Sequence, residues 1–256
     1  MTQIYWIALK TILNKEINRF LRLWIQTLMP PVITMTLYFI IFGNLLGTRL
    51  SKIHTFNYLQ FIVPGLILMA VITNSYSNVA SSFFSARFQR NIEELLVAPV
   101  PTHIIILGYV GGGIARGVFV GLLVTMVSIF LVSIPIHSWI MIIFTLLLTV
   151  VIFSLAGLLN ALFATNFDDI SLIPTFILTP LTYLGGVFYS INQLPPFWQK
   201  MSKFNPIVYM ISGFRYGFLG ITEVPLILTM LVLLILVVIL YLVVWILIHR
   251  GFGLRN

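Results

Sequence analysis

Side chains able to do chemistry are scarce in this sequence, and they do not form a recognisable catalytic pattern. The chain has 256 residues, of which six are Asp or Glu, and it contains no cysteine. Its four histidines are scattered, and no two lie at the helical spacing of a metal-ligand pair. No lysine follows a glycine, so a Walker-type phosphate loop is absent from the sequence. The residues therefore indicate binding or transport rather than catalysis.

One short charged segment, residues 86–101, lies between two long hydrophobic runs. Its sequence is ARFQRNIEELLVAPVP. Apolar residues recur in it at helical spacing, with charged residues between them, so we expect an amphipathic helix. The apolar positions are Phe88, Ile92, Leu95 and Leu96, and the charged ones are Arg87, Arg90, Glu93 and Glu94. Pro99 and Pro101 cannot extend a helix and end it. Such a segment is either a surface for a protein partner or an ordinary solvated loop helix.

The composition places the chain in a membrane. Hydrophobic residues make up 60% of the sequence and charged residues 8%, and the mean hydropathy is +1.09. A soluble domain carries about a quarter charged residues. Six runs reach the roughly 20 residues that cross a bilayer, and they lack the alternation of barrel strands. They are residues 24–47, 59–84, 104–134, 139–165, 170–199 and 224–248.

An even number of crossings puts both termini on one side. That side carries nine Lys or Arg residues and the other side five. The positive-inside rule then predicts cytoplasmic termini and a cytoplasmic segment 86–101. Residues 1–23 predict an amphipathic helix in the interface, with its basic face toward lipid headgroups; a simple extension of the first crossing is the alternative. Its apolar positions recur three or four residues apart: Trp6, Leu9, Leu13, Ile17, Phe20 and Trp24.

Three features of the hydrophobic runs predict how the helices pack and where they lie in the membrane. Gly113, Gly117 and Gly121 form a ladder at every fourth position, which permits close helix contact in lipid. Arg116 is costly at mid-membrane, so we place it near the cytoplasmic boundary; contact with an anionic headgroup or substrate is the alternative. Polar residues in the second run favour either helix packing or a wet path.

Residues after the fourth run offer a helix cap and a second candidate contact. Asp168 and Asp169 suit the start of the next helix, whose dipole favours a carboxylate there. Contact with a cytoplasmic partner is the other interpretation of this pair.

The stretch 187–218 is too polar for a clean crossing and too aromatic for a solvated loop. We expect two short half-inserted helices on the outer side, roughly 195–203 and 206–219, with their aromatic rings at the membrane boundary. Within it Arg215 is either an interfacial anchor or a contact for an anionic group.

The positions of the six acidic residues bear on the mechanism of transport. All six are expected outside the hydrocarbon, whereas ion-coupled transporters usually need a carboxylate inside it. The sequence therefore favours a transporter driven by a partner. A stand-alone secondary transporter or channel, and a membrane assembly subunit without transport, remain the alternatives.

The chain resembles the permease subunits of type-2 ABC exporters, and in particular an enterobacterial inner-membrane permease. The resemblance covers essentially the whole length. It rests on three groups of segments: NIEELLVAPVP at 91–101, GGVFY at 185–189 with LPP at 194–196, and NPIVY at 205–209 with GFR at 213–215.

The resemblance implies an all-α permease domain over 1–256, with an interfacial helix (1–23), a coupling segment (86–100) and outer re-entrant helices (190–220). It implies a homodimer driven by two separate ATP-binding subunits, which would hold the ATP and Mg, with no cofactor or metal on this chain. The coupling residues would be Arg87, Phe88, Arg90, Glu93, Glu94, Leu95 and Leu96. The outer gate would include Leu194, Pro195, Pro196, Asn205, Pro206, Tyr209 and Arg215. The family does not fix the cargo, which could be a lipid, a glycan or a drug-like molecule.

Overall fold

The structure is a computed structural model that describes residues 2–46 and 56–253, and in these ranges the chain is helical. The helices are α1 (Thr2–Arg22), α2 (Trp24–Thr27), α3 (Met29–Ile40), α4 (Tyr58–Phe88), α5 (Asn91–Val97), α6 (Thr102–Leu131), α7 (Trp139–Phe163), α8 (Phe167–Ile173), α9 (Thr179–Leu184), α10 (Pro196–Ser202), α11 (Pro206–Leu219) and α12 (Leu226–His249). Two π-helical turns, Ile41–Leu46 and Pro174–Leu178, extend α3 and join α8 to α9. The expected all-α class is confirmed.

Five helical stretches in the described residues are long and apolar enough to cross a membrane, one fewer than expected. They are Trp24–Gly43, Tyr58–Phe88, Thr102–Leu131, Trp139–Phe163 and Leu226–His249. The predicted run 170–199 is not a single helix. It begins inside a composite helix of α8, the π turn and α9, and that helix ends at Leu184. Pro174 and Pro180 each lack a backbone donor, and the following glycine pair turns the chain.

The composite helix nevertheless joins the two ends of the bundle. At its start Phe167 packs edge-on against Phe84, near the end of α4, with ring centroids 4.9 Å apart. At its other end the Tyr183 hydroxyl lies 3.2 Å from that of Tyr38 on α3. The helix therefore runs the length of the bundle, although it falls short of a clean crossing by composition.

Helix α1 and the segment after α12 both contact the same end of the bundle. Gly253, with a φ of +67°, packs against the Leu162 carbonyl at the end of α7. The Glu16 side chain of α1 accepts a hydrogen bond from Ser82, near the end of α4 that carries Arg87.

Helix α1 is amphipathic, but its buried face differs from the expected one. Ile12, Glu16 and Phe20 are buried along one face, whereas Trp6 is 67% exposed. The buried face packs on α6, where Gly108 meets Ile12 and Gly112 meets the methylene groups of Glu16. Protein contacts rather than lipid alone therefore orient α1.

The glycine ladder of α6 faces two helices of the same chain. A Cβ on Gly117 would lie 3.0 Å from both the Ser75 Cβ of α4 and the Val150 Cγ1 of α7. Gly113 lies against Val79 and Ser154, and Gly121 lies against Val71. The largely buried α4 therefore packs between α6 and α7.

We expect Gly117→Leu to destabilise the bundle. The new side chain overlaps Ser75 and Val150, which sit on packed helices, so the free energy of unfolding should fall by about 1–3 kcal/mol. The measurement is detergent-solubilised thermal stability. Met126→Leu, at an exposed position of the same helix, is the matched control and should change nothing. Equal stability of the two variants would show that α6 does not need this close approach.

Candidate partner interface and transport path

The charged segment 86–101 folds as two helices rather than one. Helix α4 continues to Phe88, and α5 starts at Asn91. Between them Arg90 has a φ of +62°, a left-handed conformation that costs a non-glycine residue roughly 1–2 kcal/mol. The expected short amphipathic helix is therefore α5, and it begins at Asn91 because the left-handed conformation of Arg90 separates it from α4.

Helix α5 presents a mixed acidic and apolar surface. Its Ile92 side chain is buried among the ends of α4, α6 and α7, whereas Glu93 and Glu94 are exposed. Val97 is 87% exposed, and Phe88 beside it is 64% exposed. We call the exposed residues Phe88, Arg90, Glu93, Glu94 and Val97 the α5 surface. Leu95 is half-buried, and the Leu96 side chain lies outside the described part of the structure.

Arg87 is not free to join this surface. Its guanidinium donates to the carbonyl oxygens of Ala161 and Leu162, each at 2.8 Å, and to that of Ala164. These are the last carbonyls of α7, where the helix dipole favours a cation. The expected partner contact of Arg87 is therefore replaced by an internal one that ties α4 to α7.

The start of α8 lies beside the α5 surface. Phe167 packs edge-on against Phe88 with ring centroids 5.2 Å apart. Asp169 accepts hydrogen bonds from the hydroxyl and N–H of Thr165 and from the N–H of Asn166, which completes a capping box. These donors, the Thr165 hydroxyl first, lower the pKa of the Asp169 carboxyl. Asp169 thus caps α8, while the exposed Asp168 faces away from the core next to the α5 surface.

At the opposite end the GGVFY and GFR segments, two of those that carry the sequence resemblance, meet around a buried charge. Arg215 of α11 is 1% exposed, and its Nη2 donates to the Gly186 carbonyl at 2.6 Å. Its Nη1 lies 3.6 Å from a Glu223 oxygen, and its guanidinium covers the Phe61 ring at 3.8 Å. Gly186 has a φ of +82°, which only glycine adopts without strain, so the GGVFY and GFR segments depend on each other.

Comparison with known proteins agrees with this geometry. The model of the ABC-2 type transporter family matches residues 7–219, most of the chain.

The chain belongs to the ABC-2 type transporter family.

Named relatives support a transport role. The chain is 69% identical to the inner membrane transport permease YadH of Escherichia coli (strain K12) over 256 residues, which is 100% of both chains. It is 22% identical to Nodulation protein J of Rhizobium meliloti (strain 1021) over 182 residues, 70% of this chain and 68% of the relative. The resemblance to an enterobacterial permease of the Yad type is confirmed. This ABC-2 protein is a multi-pass inner-membrane transport subunit rather than an enzyme.

Within this ABC-2 permease the expected role of Arg215 is wrong. A buried guanidinium balanced by Glu223 can neither anchor at the membrane surface nor reach an exposed anion. Tyr209 and Phe214, expected at the membrane boundary, are also buried within the protein. Both residues belong to α11, and this helix packs against α4, α7 and α12, so their side chains are buried between helices.

Other residues of the expected outer gate have local structural partners. The Asn205 side chain caps α11 through the Ile207 N–H and donates to the Leu181 carbonyl. Pro206 occupies the first turn of that helix, where a missing N–H costs nothing. The Tyr209 hydroxyl donates to the Lys203 carbonyl at 2.8 Å. By contrast, Leu194 is half-buried, and Pro195 and Pro196 are exposed.

The polar residues of α4 make helix–helix contacts, and some of them also line a cavity; whether that cavity is a wet path stays a prediction. Asn74, Asn78 and Ser82 recur every fourth residue and face other helices. Asn78 accepts from Arg19, and Ser82 donates to Glu16 at 2.6 Å. Thr73 and Ser77, on the neighbouring face, line an open cavity.

Glu16, one of the six acids expected outside the hydrocarbon, is fully buried within the protein and pairs with Arg19 at 3.2 Å. A signal was present in the sequence: Ile12, Glu16 and Phe20 share one helical face. The burial of Glu16 was not predicted, because Trp6, which the structure shows to be exposed, indicated a different apolar face of α1.

Arg116 lies near the middle of α6, and residues 117–131 of that helix follow it, about 23 Å of helix. Its side chain faces protein: Nη2 donates to the Asn74 Oδ1 at 2.9 Å and to the Thr27 carbonyl at 3.2 Å. Its place near the cytoplasmic boundary of the membrane stays a prediction.

Proposed function

We propose that this chain is the membrane subunit of an ATP-driven exporter, paired with a second copy and with separate ATP-binding subunits. The α5 surface carries this proposal. Five neighbouring side chains stand out from the end of the bundle, two of them acidic and two strongly apolar. A solvated loop gains nothing by exposing Val97 and Phe88, whereas a protein partner would bury both. The outward direction and the coupling to ATP follow from the type-2 exporter resemblance.

The position of α5 supports its use as a lever. It is joined to α4 through the turn at Arg90 and to α6 through the segment from Ala98 to Pro101. Ile92 embeds it in the core, and Arg87 links α4 to the last turn of α7. A movement of the ATP-binding subunit against α5 would therefore act on three long helices at once. Asp168 and Phe167 would extend the same contact.

The homodimer is supported by a polar cavity that opens on the side of α3 and α9. Its rim includes exposed Gln26, Thr34, Thr73 and Thr179. Polar side chains at membrane depth are tolerated against protein or water rather than against lipid. We infer that this side faces a second copy, and that the path for the cargo runs between the two.

Six crossings are the proposed topology, with the composite helix 167–184 as the fifth. It is about 27 Å long and joins the two ends of the bundle. Both termini and α5 would then lie in the cytoplasm, which agrees with the charge distribution. The segment 190–220 would close the outer mouth, with α10 as its mobile part, since α11 is held in the core.

Cysteine labelling tests the topology. Because the chain has no cysteine, Gln193→Cys and Gln89→Cys each introduce a unique thiol at an exposed position. We expect an impermeant thiol reagent to label Gln193→Cys on intact spheroplasts, and to label Gln89→Cys only after permeabilisation. The reverse pattern would place α5 outside the cell and remove the basis for ATP coupling.

Co-purification tests the function. The tagged chain should bring down an ATP-binding cassette subunit in stoichiometric amount. Val97→Asp, at the most exposed apolar position of the α5 surface, should lower that yield at least about tenfold, since it puts a charge into an apolar contact. Gln193→Asp, which adds the same charge at an exposed position outside the crossing helices and far along the chain from α5, is the matched control. A folded chain that transports without any bound ATPase would favour the stand-alone transporter instead.

A further inference from the structure

The cavity beside Arg116 has features of a binding site for a specific kind of molecule. It has a volume of about 460 Å³ and is lined by residues of α2, α3, α4, α6 and α9. Arg116 lies on its wall, near the middle of α6, and is the one charged side chain among its lining residues. An ionisable side chain within a helix long and apolar enough to cross a membrane is costly and calls for a functional explanation.

Arg116 has no carboxylate to balance its charge. The chain has six acids, and each has another place. Glu16 pairs with Arg19, and Glu223 pairs with Arg215. The other four lie beside α5 and α8, at the end of the bundle: Glu93, Glu94, Asp168 and Asp169.

The neutral partners of Arg116 leave part of the guanidinium unused. Nη2 donates to the Asn74 and Thr27 oxygens, whereas no hydrogen bond from Nη1 is present within the described residues. Nε has no acceptor there either, although it is itself buried. The amide of Gln26 and the hydroxyls of Thr73 and Ser77 line the same cavity. A planar guanidinium with hydroxyl and amide neighbours suits a phosphate group, which it can bind through two parallel hydrogen bonds.

The remaining wall is apolar. Pro30, Met35 and Met69 line the cavity next to the polar group of residues. Methionine side chains adapt their shape to apolar ligands. The cavity therefore offers a charged end and an apolar side, which is the pattern of an amphiphile rather than of a free ion.

We propose that this cavity binds a phosphate-bearing amphiphile, with the phosphate on Arg116 and the hydrocarbon tail against Met35 and Met69. This inference rests on the proposed function, because it names the class of cargo that the path would accept. The phosphate supplies the negative charge that the chain lacks at this point. The tail would cover the apolar wall of Pro30, Met35 and Met69.

Ligand protection of a single thiol tests the proposal without any ATP-binding subunit. Ser77→Cys places a unique thiol on the cavity wall of the purified full-length chain in neutral detergent. Lysophosphatidic acid should protect it from a small thiol reagent. Monoacylglycerol of the same chain length lacks only the phosphate, and inorganic phosphate lacks the tail. Each should need at least about tenfold higher concentration to protect, since each loses one of the two interactions.

Variants of Arg116 complete the test. In the Ser77→Cys background, Arg116→Gln should raise the half-protecting concentration of lysophosphatidic acid about tenfold or more. Arg250→Gln, which removes an exposed charge at the end of α12 and outside the cavity lining, should leave it unchanged. Arg116→Lys keeps the charge and the fold but loses the planar fork, so an intermediate value is expected.

Three results would overturn the proposal. Wild-type protection in Arg116→Gln would mean that the arginine does not bind the ligand. Equal protection by monoacylglycerol would mean a purely apolar site, and equal protection by inorganic phosphate would mean a site for a free anion. None of these results bears on co-purification with an ATPase, so failure here and failure of the proposed function are distinguishable.

Discussion

Replacing Glu93 and Glu94 together by lysine should abolish the stimulation of ATP hydrolysis by transport while the permease stays folded. Both carboxylates are exposed on α5, and neither forms an ion pair within the described residues. The double change shifts the local charge by four units beside the exposed Arg90. Cationic groups on the ATP-binding subunit that meet the two acids would then be repelled, and like charges across an interface cost several kcal/mol.

The measurement is ATPase activity of the reconstituted complex with and without a transported substrate, together with detergent stability. Glu93→Gln with Glu94→Gln removes the charge without reversing it and should give a partial loss. Lys200→Glu reverses an exposed charge on α10, at the opposite end, and should leave stimulation intact. Full stimulation in the double-lysine variant would exclude the two acids from the coupling contact.

Replacing Glu223 by glutamine should destabilise the permease by about 3–5 kcal/mol. Glu223 balances the fully buried guanidinium of Arg215 at 3.6 Å, and its other oxygen accepts from the Ile191 N–H at 3.1 Å. Glutamine keeps the size but removes the charge, so the arginine stays buried with a neutral partner. The loss should appear as a lower free energy of unfolding in denaturant, and transport should fall in parallel because folded protein is lost.

The double variant Arg215→Met with Glu223→Leu separates charge balance from packing. It removes both charges and should recover much of the stability, since replacing a complete buried pair by apolar residues is often nearly neutral. Arg90→Met, at an exposed arginine, should stay within about 0.5 kcal/mol of wild type. Wild-type stability of Glu223→Gln would show that Arg215 is held by Gly186 and Phe61 alone.

Much of the molecule follows from the sequence by itself. Hydrophobic runs of about 20 residues determine the long helices, because a backbone in lipid must satisfy its own hydrogen bonds. The prolines at 99, 101, 174 and 180 mark where helices end or distort, because proline lacks a backbone donor. Segment 91–101 contains α5, and segment 205–209 contains the start of α11. Each could be predicted from contiguous residues, because neither prediction depends on contacts with distant parts of the chain.

Only the tertiary structure decided which polar residues meet. Glu16 and Ser82 are 66 residues apart and Arg87 and Leu162 are 75 apart, and each pair bonds through helix packing that no local pattern specifies. Arg215 illustrates the reason. An aromatic residue stands on each side of Arg215 in the sequence, which suggests a place at the membrane boundary. The fold instead brings Glu223 and the Gly186 carbonyl to its guanidinium, and these two partners stabilise the charge in a buried position. A charge at membrane depth is tolerated only where distant groups surround it, so its place depends on the whole packing.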